Sequence, residues 1–103
     1  DRFSAAYLVA AAARAIREVA QLSLRAAKAK KRLATLTLEV EVKFATPGER
    51  QAFTAELAES VSALAARYHR EAAEGGRRFR FLIGGYPASA RVVDDSAEAV
   101  RME

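Results

Sequence analysis

Apolar and polar residues alternate without a break along Leu36-Thr37-Leu38-Glu39-Val40-Glu41-Val42-Lys43-Phe44. Leu36, Leu38, Val40, Val42 and Phe44 share one face, and Thr37, Glu39, Glu41 and Lys43 the other, which is the period of a half-buried strand. Upstream, from Ser4 to Lys30, the spacing changes to three and four. Leu8, Ala12, Ile16, Val19, Ala20 and Leu24 step along one side of a helix. Ser4 offers an N-cap hydroxyl, and an alanine-rich interior favours helix over any alternative. Tyr7, Ala11, Ala15, Leu22 and Ala26 widen the apolar stripe beyond what one small neighbour covers, so this helix is expected to pack on two sides. The small residues Ala10 to Ala13 admit a second helix at close range.

Thr46-Pro47-Gly48-Glu49 spells a capping box, with Thr46 accepting from the Glu49 amide, Glu49 reaching back, and Pro47 at the first helical position. The helix it opens is expected over 47–74. Phe53, Leu57, Val61, Leu64 and Tyr68 recur at four, four, three and four, and Gly75-Gly76 marks the stop. Alternation returns from Arg77 to Ile83, with Phe79, Phe81 and Ile83 on one side, before the turn Gly84-Gly85-Tyr86-Pro87.

The pattern predicts an α+β fold: helix 4–30, strand 36–44, helix 47–74 and strand 77–83, a small sheet packed against long helices in one domain over 1–88. Residues 89–103 read as an acidic, weakly ordered tail, with Arg91-Val92-Val93 its candidate strand. Two strands alone are barely stable and leave open edges. Completion of the sheet by dimerisation is therefore the firmest expectation, and Leu8, Ala12, Ile16 and Val19 are the candidate dimer interface.

Length adds to that argument. At 103 residues a folded monomer buries only about 60–70% of its chain surface, so a second copy or a further domain is the obvious source of stability. The longest uncharged run, Phe3 to Ala13, is 11 residues, where a membrane span needs about 20. The opening Asp1-Arg2-Phe3-Ser4 has no leader-like character, and a start on Asp rather than Met reads as a piece of something longer.

Chemistry is sparse. With no cysteine and a single histidine, His69, the inventory holds no thiolate, no disulfide and no Ser-His-Asp triad; no metal site, no cofactor and no enzymatic activity is expected. His69 reads as a surface or half-buried structural residue, because Glu71 is expected to face away from it on a continuing helix and Glu74 is five positions on. Gly75-Gly76 beside Arg77 and Arg78 follows a helix, whereas phosphate loops precede one. Glu39 and Glu41, about 7 Å apart on a strand face, match a glycosidase carboxylate spacing but come with no cleft residues.

Net charge is +4, concentrated in one place. Residues 1–44 carry nine basic and four acidic groups, and five of the eight residues from Arg25 to Arg32 are cationic: Arg25, Lys28, Lys30, Lys31 and Arg32. The first reading is a solvated helix end whose cations complement the helix dipole; the second is a patch that meets phosphate. A helix-turn-helix is absent, since the two helices are long and separated by a strand. The aromatic residues of Arg78-Phe79-Arg80-Phe81 fall on the side of Ile83, as core residues would.

Taken together, Leu38-Glu39-Val40-Glu41-Val42-Lys43-Phe44-Ala45, Glu49-Arg50-Gln51-Ala52-Phe53, Leu64-Ala65-Ala66-Arg67-Tyr68-His69, Gly76-Arg77-Arg78-Phe79-Arg80-Phe81 and Gly84-Gly85-Tyr86-Pro87 resemble the C-terminal region of bacterial ArsR-like winged-helix transcriptional regulators. The resemblance covers about half the chain, which lacks both the winged helix and the cysteine metal-sensing motifs of metalloregulators. It implies a cytoplasmic homodimer that forms the dimerisation and effector-sensing part of a transcription regulator and reaches DNA only through a domain outside this chain. It places a pocket for a small apolar effector between sheet and helices, for which Tyr7, Phe53, Phe79 and Tyr86 are candidate lining residues and also candidate core. The alternative reading is a free-standing small-molecule-binding or scaffold homodimer with no DNA role. No membrane association is expected in either case.

Overall fold

The computed structural model describes residues 1–89 and, as backbone, residues 100–102. Element order is α1 (Ala5–Lys28), β1 (Leu36–Leu38), α2 (Pro47–Tyr68) and β2 (Val100–Met102). The chain divides into two compact units, one formed by Asp1–Glu41 with Arg80–Glu103 and the other by Val42–Phe79. The candidate strand at Arg91-Val92-Val93 lies outside the described residues, as does most of the tail.

Both helices begin where side chains satisfy free amides. Ser4 sits in extended conformation and its Oγ accepts from the Tyr7 N–H at 3.1 Å. Thr46 does the same for Glu49 at 3.0 Å, with Pro47 in the first turn. Among the described hydrogen bonds the reciprocal half of the capping box, from the Thr46 amide to the Glu49 carboxylate, is not formed. The α1 end is a Schellman turn: the Lys31 N–H donates to the Ala26 carbonyl at 2.8 Å and the Lys30 N–H to Ala27 at 3.1 Å. This requires a left-handed residue, and Lys30 supplies it at φ 55° without being glycine.

The expected α+β class is overturned. Two helices of 24 and 22 residues dominate, and strand structure among the described residues is a single antiparallel match of three residues on three, Leu36 opposite Met102 and Leu38 opposite Val100. Among the described residues this pair is the whole of the sheet, too small to form a layer for the helices to pack against. Of the run 36–44 only Leu36–Leu38 is strand, and 77–83 forms no ladder among the described residues. Alternation specifies which side of a strand is apolar, but a strand also needs a hydrogen-bonding neighbour, and neither run provides one for the other. Phe44 turns to α2 instead, its ring 5.3 Å from that of Phe53 and tilted by 57°, a favourable aromatic geometry.

The second helix also stops earlier than the glycines suggest. Tyr68 is its last residue, and His69 takes an extended ψ of 130° as the C-cap. Arg70 folds its guanidinium back, donating to the Arg67 carbonyl at 2.9 Å and the His69 carbonyl at 3.0 Å. Arg67 O is the acceptor that residue 71 would need to continue the helix, so the side chain replaces the next turn. Residues 70–76 then form two short turns, Ala73 N–H to Arg70 O and Gly76 N–H to Ala73 O. Gly75, at φ +82°, is a turn glycine rather than the helix terminator.

Burial is scant. Ala11, 4% exposed, is the buried residue among those described, while twenty large apolar side chains are between 38% and 80% exposed.

Candidate functional site

The surface with most structure around it is α1. One side of this helix is covered by segment 80–84 of the same unit. Arg80 Nε lies 3.8 Å from Glu18 Oε1. Phe81 and Leu82 share a cavity of about 110 Å³ with Ala11, Arg14, Ala15 and Glu18. Gly84 approaches Leu8 so closely that a Cβ there would come within 2.6 Å of a leucine methyl. Alanine at positions 11 and 15 leaves room for this chain to lie down, and the absent side chain at 84 completes the fit. The segment was expected to be a strand, so its role as a cover for α1 was missed; the signal for it is a glycine placed opposite a helix lined with small residues.

The other side of α1 is exposed among the described residues. Val9, Ile16 and Val19 are 67%, 70% and 47% exposed. Of the four candidate interface residues, Leu8 is half-buried beneath Gly84 and Ala12 is half-buried, whereas Ile16 and Val19 stand on the open side. The helix thus has two apolar sides, and segment 80–84 covers one.

The four candidate pocket residues are divided between the units. Tyr7 and Tyr86 belong to the first, 57% and 80% exposed; Phe53 and Phe79 belong to the second, 41% and 55% exposed. None of them lines the 110 Å³ cavity or the shallow one of about 250 Å³ beside Glu18, Gln21, Leu22 and Arg25. Both volumes fall below the roughly 300–1,000 Å³ usual for small-molecule sites.

His69 is brought to a partner that spacing had assigned elsewhere. Because α2 ends at Tyr68, Glu71 swings round to place Oε1 3.0 Å from His69 Nε2, and Arg78 Nη2 donates to Oε2 of the same carboxylate at 2.5 Å. The expectation that Glu71 faces away is therefore corrected. All three side chains are more than half exposed, His69 at 59%, so the group is a solvated surface link. No cluster of three potential metal ligands occurs among the described residues.

The five cations from Arg25 to Arg32 surround the Schellman turn, all exposed, and none is in an ion pair among the described residues. Lys28 and Arg25 lie in the last turn of α1, where they face its carbonyl end. No helix among the described residues is long and apolar enough to cross a membrane. Comparison with protein-family profiles, curated proteins and solved structures gives no match.

Proposed function

We propose that this chain is an association module that completes its fold against a second copy of itself, serving as the dimerisation part of a cytoplasmic bacterial transcription regulator whose winged helix lies outside the chain. One observation carries the association: the described residues expose twenty large apolar side chains, half of them on the two capped helices, with Ala11 alone buried. Fully burying one Val, Leu, Ile or Phe side chain stabilises by about 1.5–3 kcal/mol. A chain that withholds nearly all of them from its own core depends on another surface to take them up. The regulator context rests on the resemblance of residues 38–87 to ArsR-like C-terminal regions. Effector sensing belongs to this proposal only for the assembled form, since the two cavities found among the described residues are too small for it.

Light scattering over a dilution series tests the module. A mass near twice 11.2 kDa, falling together with helical circular dichroism as the sample is diluted, is the expected result. A monomer that keeps full helicity at every concentration overturns it.

A further inference from the structure

We propose that the basic cluster from Arg25 to Arg32 is a sequence-independent contact for the phosphate backbone of duplex DNA. The inference stands apart from the association reading above, and it adds to the DNA contact that the resemblance assigns to a domain outside this chain. Five of eight consecutive residues are cationic, and no acidic residue stands between Glu18 and Glu39. Arg25, Lys28, Lys30, Lys31 and Arg32 are all exposed, and none is in an ion pair among the described residues. The described carboxylates that do pair go elsewhere, Glu18 to Arg80 and Glu71 to His69 and Arg78.

The helix end alone does not account for these charges. A helix dipole acts within the last turn, and that turn holds only Arg25 and Lys28 of the five. Three of its carbonyls already accept backbone amides: Arg25 O from Ala29 at 3.0 Å, Ala26 O from Lys31 at 2.8 Å and Ala27 O from Lys30 at 3.1 Å. Lys30, Lys31 and Arg32 lie past the helix. Lys30 carries its charge in a left-handed conformation, φ 55°, that glycine takes with less strain.

The residues between the cations select the partner. Ala26, Ala27 and Ala29 offer no hydrogen-bonding side chain to a base edge and no ring on which an unpaired base could stack. Membrane surfaces are met by large apolar side chains set among the cations, and here the first to follow, Leu33, is half-buried. A dense array of phosphates is the chemistry that fits, and duplex DNA carries one charge per about 1.7 Å of its axis.

Fluorescence anisotropy of the whole chain with two labelled duplexes of unrelated sequence tests the contact. Both should bind alike, and affinity should fall about 40- to 500-fold between 50 and 200 mM salt, as three to five phosphate contacts require. Lys31→Gln with Arg32→Gln should weaken binding at least about 10-fold at 50 mM salt and reduce the salt slope by about 1.8, with helical circular dichroism unchanged. Arg17→Gln with Arg50→Gln removes the same charge from exposed positions elsewhere on the helices and should leave affinity within about twofold. Equal losses from the two pairs show attraction to net charge alone and overturn the site. Absence of duplex binding by the whole chain at 50 mM salt overturns it as well, as does tighter binding to one of the separated strands. Binding to phosphatidylserine vesicles and not to duplex, if lost with Lys31 and Arg32, assigns the cluster to a lipid surface instead.

Discussion

The two helices differ by two residues in length and are capped by the same device, a hydroxyl accepting from the third amide beyond it, yet they have different fates. α1 gains a covering segment and holds the buried Ala11; α2 has no buried residue, and Ala58 and Val61 are half-buried at best. The difference follows from side-chain size. On α1 the covered side is alanine at 11 and 15, so a backbone with glycine at 84 lies close to it. On α2 the stripe is Phe53, Leu57, Val61, Leu64 and Tyr68, large groups that need an equally large surface opposite. Phe44 covers part of Phe53, and Leu57, Leu64 and Tyr68 are exposed among the described residues. Helix formation is local and cheap to specify; helix packing depends on what the remainder of the chain can bring.

The largest effect expected from this contrast is at the buried position. Ala11→Asp should destabilise the first unit by about 2–5 kcal/mol, since an unpaired carboxylate is placed where water is excluded. Ala58→Asp on α2 should cost less than half as much. Thermal melts followed at 222 nm compare the two, and equal losses would erase the distinction drawn between the helices.

Removing the shared device should affect both helices alike. Ser4→Ala and Thr46→Ala each leave an amide without its partner and are expected to cost about 1 kcal/mol, read as a lower melting midpoint. A change confined to one helix would show that the other does not rely on its cap.

A gain is expected at the α1 end. Lys30→Gly relieves a left-handed conformation that costs an ordinary residue roughly 1–2 kcal/mol, so stability should rise by about 1 kcal/mol at the loss of one cation. Denaturant melts at high salt separate the backbone effect from the charge. The smallest effect is at the close approach itself: Gly84→Ala should cost about 0.5 kcal/mol or less, because the atom in its way is the rotatable end of Leu8. A loss of several kcal/mol there would mean that the cover on α1 is rigid.

What the sequence makes legible is what is local. The caps at Ser4 and Thr46 and the four-and-three spacings can be read directly, and both helices start within a residue of where they are expected. The far ends cannot. Lys30 takes a backbone conformation that composition assigns to glycine, and Arg70 ends α2 through its own side chain, a contact with no spacing rule. Strand identity in Leu36–Phe44 is worse served, since alternation is silent on whether a neighbour exists. The candidate pocket residues come from four separate stretches, which the structure divides between two units, and the His69–Glu71 contact depends on a helix end that the spacing does not show.

The alanines of α1 have one more consequence, in entropy. Alanine brings no side-chain torsion to freeze on burial, and the Val9, Ile16 and Val19 that accompany it are β-branched and already held near one rotamer by the helix. Association along this stripe therefore gives up little side-chain disorder for the area it covers. A pair built this way would need less buried surface to hold it than one formed through leucine, methionine or lysine.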